Sequence, residues 1–151
     1  MAFKLGMHAK MYYASTPLAD GSGASSGSWT EQTNVKDLTL NLETGEADAT
    51  TRGNNGWRAT LATLKEGSME FEMVWDTEDA GFTAIKDAWL NSTEIALAAM
   101  DGDISTGGSQ GLASNFTVTN FSRNEPLEEA ITVNVTVKPS SQTEWYEVSG
   151  T

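Results

Sequence analysis

Cysteine is absent from the 151 residues, and histidine occurs once, at His8. Disulfides, thiolate metal sites and a cysteine nucleophile are therefore excluded, and little remains for metal ligation or imidazole base chemistry. Cations are also few: nine Lys and Arg stand against 21 Asp and Glu, a formal net charge of −12. Affinity for nucleic acid comes mainly from Lys and Arg displacing counterions, so a chain that grips phosphates is disfavoured. The same excess suits a surface past which nucleic acid slides without sticking. No apolar run approaches membrane-spanning length. The stretch Met1 to Lys10 is broken by Lys4, Gly6, His8 and Lys10 and lacks the continuous apolar core of a secretory signal, so the expectation is a cytoplasmic protein without membrane contact. The length suits one domain, residues 1–151, with a core of its own.

What is present is mostly period two, the mark of half-buried strands. Lys10 to Ala14, Trp29 to Thr33, Val35 to Leu42, Gly67 to Trp75, Glu94 to Met100, Ala113 to Arg123 and Glu129 to Lys138 read as strands, with Pro139 ending the last and Trp145 to Val148 adding a short edge strand. Leu38, Leu40 and Leu42 alternate with Thr39, Asn41 and Glu43; Met69, Phe71 and Met73 alternate with Glu70 and Glu72. Between these runs lies the polar stretch 45–56, whose Asn55-Gly56 is a turn signal because both residues accept positive φ. Trp57 to Leu61 resumes a strand. Loops over 17–28 and 101–112, rich in Gly and Ser, have almost nothing to bury and are expected to be flexible. One helix is expected over 77–91, capped by Asp76 or Thr77, with Phe82, Ile85 and Trp89 at helical spacing on its apolar face. The fold class is mainly β: an antiparallel sandwich or barrel with one flanking α-helix.

No residue set for catalysis stands out. Glu70/Glu72 share a strand face and Asp101/Asp103 share a loop, but period-two charges opposite an apolar face are what a solvated sheet carries, and Asp101-Gly-Asp103 lacks the spaced ligands of a calcium loop. There is no G-x-S-x-G elbow, His8 has no evident orienting acid, and Gly107 to Gly111 has no following lysine to cradle phosphate. The sequons at Asn91, Asn115, Asn120 and Asn134 follow from a Thr- and Asn-rich composition. Trp75 and Trp89 are assigned to core packing rather than base stacking. Trp29, Trp57 and Trp145 are not placed in the core, and a carbohydrate-binding or adhesive β-sandwich would need such aromatic platforms.

In order and spacing the chain resembles the phage and prophage tail tube proteins. The likeness runs through Gly6 to Tyr13, Trp29-Thr-Glu, Asn34 to Leu40, Met69 to Asp76, the helix with Phe82, Ile85 and Trp89, and Phe121 to Glu129. Its most distinctive part is Glu46-Ala-Asp-Ala-Thr-Thr-Arg52 leading into Gly56-Trp-Arg-Ala59; His8 stands where an acidic or polar residue is expected. The resemblance implies a non-catalytic structural subunit without cofactor or metal. Copies would form rings, usually of six, that stack into a tube conducting DNA, and would meet a tape measure protein, tail tip or baseplate and tail terminator proteins. It would reside in the virion tail, and in the host cytoplasm before assembly. The inner tube of a contractile injection or type VI-like secretion machine is the related alternative.

Two sets of residues carry that expectation. The stretch 45–56 has little to bury in its own domain and should order against a neighbour, so Glu46, Asp48, Thr50, Thr51, Arg52, Asn54, Trp57 and Arg58 are candidate contacts between subunits or rings. Arg52 and Arg58 suit directional pairing with carboxylates. A wall facing DNA should be polar or acidic opposite a packed core, which selects Thr39, Asn41 and Glu43, or Glu70 and Glu72.

Overall fold

A computed structural model describes residues 3–19 and 23–149. Seven strands, β1 (Lys10–Ala14), β2 (Thr30–Glu31), β3 (Val35–Asp48), β4 (Thr60–Val74), β5 (Glu94–Met100), β6 (Gln110–Asn124) and β7 (Thr132–Glu147), form one sheet in the order β2-β1-β5-β6-β7-β4-β3. Every neighbouring pair is antiparallel. The one α-helix among the described residues, α1, spans Ala80–Leu90.

The link between β2 and β3 sets the shape. These strands are the two edges of the sheet, yet only Gln32, Thr33 and Asn34 separate them. Four backbone steps reach at most about 14 Å, whereas seven flat strands would hold their edges about 29 Å apart. The sheet must curl until its ends meet. Gln32 N–H donates to the Met11 carbonyl on β1, while at the far end of β4 the Asn34 carbonyl accepts from Val74 N–H at 3.0 Å and the Asn34 side-chain amide donates to the Val74 carbonyl at 2.8 Å. The sandwich expected from the alternation is thus one sheet folded over, its inner face filled by Met11, Met69, Phe71, Leu97, Phe116 and Val135, with Phe82 and Ile85 of α1 closing the open side.

Several boundaries differ from the sequence reading for physical reasons. Strand β7 does not stop at Pro139. Its pairing with β4 ends at Met69↔Val137, and Pro139 sits opposite Phe116 beside a register shift, where a missing N–H breaks no regular ladder. Trp145 to Glu147 is consequently the end of β7, paired with β6, not a separate edge strand. The helix starts at Ala80: Asp79, not Asp76 or Thr77, accepts from Phe82 N–H at 2.8 Å, while Asp76 accepts from Glu78 N–H in a turn of its own. Trp89 is 45 % exposed and lies against Phe121 rather than in the core, whereas Trp75 packs edge-on to Phe82.

The glycine- and serine-rich link after β1 has more to bury than its composition suggests. Leu18 and Ala24 are buried, and the side chain of Asn115 holds the link to the sheet by accepting from Leu18 N–H at 2.7 Å and donating to the Leu18 carbonyl at 2.8 Å. Glu144 accepts from Ala24 N–H, and Trp29 donates to the Ala24 carbonyl. Asp20, Gly21 and Ser22 of this segment lie outside the described residues. The second loop is pinned by Asp101, which accepts from Gln110 N–H, and by backbone bonds between Gly108, Ser109 and Val148.

Two expected outcomes follow from these contacts. Asn115→Ala leaves the buried Leu18 amide and carbonyl without partners; urea unfolding should register a loss of about 1–3 kcal/mol, and limited proteolysis should cut the β1–β2 link faster. Gly81 touches the closure itself, since a Cβ there would fall 1.6 Å from Gln32 Oε1 and 2.7 Å from the Tyr13 ring. Gly81→Ala should lower stability by about 1–3 kcal/mol in the same assay.

Candidate assembly surfaces

Strands β3 and β4 are longer than the sheet that holds them. Beyond Met69, β4 has lost β7 and pairs with β3 alone, so residues 43–66 project as a two-stranded arm. Such a ribbon buries little by itself. Leu61 is 60 % exposed, Leu64 82 % and Trp57 78 %.

The tip of the arm is a built turn. Thr51 and Asn54 form a capping box over the short 3-10 turn Arg52–Asn54, with Thr51 N–H donating to Asn54 Oδ1 at 2.7 Å. Asn55 and Gly56 then take positive φ of 53° and 83°, as the Asn-Gly signal requires. Ala59 N–H donates to the Thr50 hydroxyl at 2.9 Å, and Thr50 N–H donates to Asp48 at 2.9 Å. The Thr50 hydroxyl, and next its amide, hold the Asp48 carboxyl below its ordinary value. The arm thus has local order of its own. Its eight candidate residues fall on one hairpin: Glu46 opposite Ala62, Asp48 opposite Thr60, Thr50 to Asn54 at the turn, and Trp57 and Arg58 on the return. All are exposed except Asn54, which is half-buried, and among the described residues neither Arg52 nor Arg58 has an ion-pair partner.

The two candidate wall sets turn out to be one surface. Thr39 lies directly opposite Glu70, Asn41 opposite Ser68 and Glu43 opposite Glu66; Glu70 and Glu72 continue across to Thr136 and Asn134 on β7. This outer face of the β3-β4-β7 half is polar and acidic, with Lys36 3.9 Å from Glu72. Sequence reading ended the second strand of the arm at Leu61, whereas β4 runs unbroken from Thr60 to Val74; Leu61 and Leu64, at odd spacing, put apolar side chains on both faces of the ribbon, which hid the alternation. The Asp101/Asp103 pair has a structural role, with Asp103 accepting from Ser105 N–H and hydroxyl and lying 4.0 Å from Lys10. Among the described residues no cluster of acidic or histidine side chains is placed to hold a metal, and no helix is long and apolar enough to cross a membrane.

This chain is thus a sheet curled over its own core, with one helix and a projecting ribbon. It shares its fold with the tail of an empty gene transfer agent (GTA) particle, solved with C6 symmetry, at 12 % identity and a TM-score of 0.72 over 95 % of this chain and 99 % of that one. The SPP1 tail tube matches at 17 % identity and 0.70 over 97 % and 80 %, and a chain of the anti-feeding prophage baseplate at 9 % and 0.60 over 98 % and 99 %. A family model described as phage tail tube protein matches residues 18–143. The chain belongs to that family and is a structural subunit of a phage-type tail. No curated protein sequence matches it significantly.

Asp48 gives the turn a pH signature. Because its folded value is depressed, its contribution is complete above the ordinary carboxylate range and is lost as pH falls through the folded value. In Thr50→Val, an NMR titration should show Asp48 moving up toward its ordinary value, with faster amide exchange from Thr51 to Trp57.

Proposed function

We propose that copies of this chain close into rings, six to a ring, and that the rings stack into a tube whose lumen conducts DNA during ejection. The observation that carries the reading is the arm. A ribbon with exposed Trp57, Leu61 and Leu64, with Arg52 and Arg58 lacking an ion-pair partner among the described residues, and with a bare strand edge along β3 is a poor surface for a monomer and a good one for a neighbour. Joining edges between copies satisfies their open amides. The C6 symmetry of the related GTA tail supports six.

In this reading Glu46, Asp48, Thr50, Thr51, Arg52, Asn54, Trp57 and Arg58 contact the next subunit or ring, with Arg52 and Arg58 meeting carboxylates. Thr39, Asn41, Glu43, Glu70 and Glu72 line the lumen, where acidic and hydroxyl groups offer phosphates nothing to bind. The subunit is non-catalytic and needs no cofactor. A tape measure protein, tail tip or baseplate and terminator proteins are its partners, and the host cytoplasm holds it before assembly in the virion tail. A second reading, the inner tube of a contractile injection or type VI-like machine, is favoured by the likeness to the anti-feeding prophage baseplate.

Negative-stain electron microscopy of the purified protein should show rings or hollow filaments, and Arg52→Glu should shift sedimentation toward monomer. A chain that remains monomeric at high concentration would overturn the assembly, and tubes unaffected by the charge reversal would overturn the role of Arg52.

A further inference from the structure

Strands β4 and β7 run paired from Val74↔Thr132 to Met69↔Val137 and then part. On one side of the fork β4 continues as residues 60–68, paired only with β3; on the other β7 continues as residues 138–147, paired only with β6. Each keeps one unpaired edge facing a cleft of about 930 Å³. Leu42, Leu112, Pro139 and Trp145 give it an apolar floor; Leu42 is 54 % and Trp145 52 % exposed. Its outer rim carries Glu43 directly opposite Glu66, a like-charge pair that is unfavourable unless a cation joins it, and among the described residues neither has an ion-pair partner.

Elsewhere on the chain lies a segment with the opposite needs. Phe3, Leu5 and Met7 are 87 %, 63 % and 82 % exposed and alternate with Lys4 and Gly6, so that in extended form they share one face with Lys4 on the other. They belong to no strand, and the segment before β1 contains no acidic residue. Among the described residues Lys4 pairs with Asp101 alone, at 3.9 Å, a partly solvated pair that exchanges readily.

We propose that the segment Phe3–Met7 of a second copy of this chain adds as an extended strand in the β4–β7 fork. Its backbone pairs with both open edges, Phe3, Leu5 and Met7 cover Leu42, Pro139 and Trp145, and Lys4 lies beside Glu43 and Glu66. The donor is a second copy because the chain's own segment is too short. Lys10 sits in the row Lys10–Met100–Gly111–Tyr146, so the slot beside β7 is four strand positions away. Along the curve of the sheet that is about 19 Å, and running five residues along the edge adds about 17 Å. The seven residues before Lys10 span at most about 25 Å.

The proposal rests on the self-assembly reading and is tested separately from it. In this cysteine-free chain, Phe3→Cys, Leu5→Cys or Met7→Cys, one at a time, is mixed with Thr143→Cys, assembled and oxidised. A two-chain band on a non-reducing gel is expected from a mixture and from neither variant alone. In the unaltered protein, hydrogen exchange at residues 60–68 and 140–147 should slow at least tenfold on going from monomer to ring. Rings that form without the cross-link and without that protection overturn the proposal and leave the assembly standing. A cross-link formed within one chain of a double variant overturns the second-copy donor. Failure of the unaltered chain to form rings at all overturns the assembly reading and this proposal with it.

Discussion

Everything in the molecule is arranged around the short passage from Glu31 to Val35. A chain that must connect the two outermost strands of a seven-stranded sheet through three residues has no flat solution. Curling the sheet brings the Met and Val side chains of β4 and β7 opposite the Met and Leu side chains of β1 and β5, and the core exists only because of that fold-over. The helix depends on it too. Gln32, buried at the closure, donates to Asp79, the same carboxylate that caps α1 at Phe82 N–H, so the seam of the sheet and the start of the helix share one side chain.

Much of this was legible in the sequence where alternation was strict. Met69 to Met73 and Val133 to Val137 can be strands on one face only, because a shift of one residue would turn every apolar side chain outward. Lys10–Ala14 and Glu94–Met100 do not alternate; they were readable as short, almost wholly apolar runs, and both strands are buried on both faces. Pro139 misled because proline is a local signal, and its tolerance depends on which neighbour has already left the ladder. Asp79 displaced Asp76 and Thr77 as the cap because Gln32, far away in sequence, holds it in place. Asn115 is the clearest case of what spacing cannot convey: a residue in a sequon turns out to be buried and to serve as a bracket for a loop 97 positions away.

The assembly surfaces divide in the same manner. The polar stretch with Thr50, Thr51, Arg52 and Asn54 announces itself as a segment without a core, and its turn follows from Asn55-Gly56. That Thr39 and Glu70 face each other, making one wall from two strand patterns, is a matter of pairing register. The fork between β4 and β7 has no local signature at all, since it arises where two long strands part from each other while each keeps its other neighbour.

The length of β6 and β7 has a mechanical consequence. Their mutual ladder runs from Gln110↔Glu147 to Asn124↔Thr132, bending through register shifts but never interrupted by a loop. In an antiparallel ladder the hydrogen bonds lie across the strands, so a pull along the strands loads the rungs together in shear, while a pull across them opens one rung at a time. The subunit is therefore stiff along one direction and peelable along another, and the orientation in which it is built into a larger body decides which of the two that body inherits.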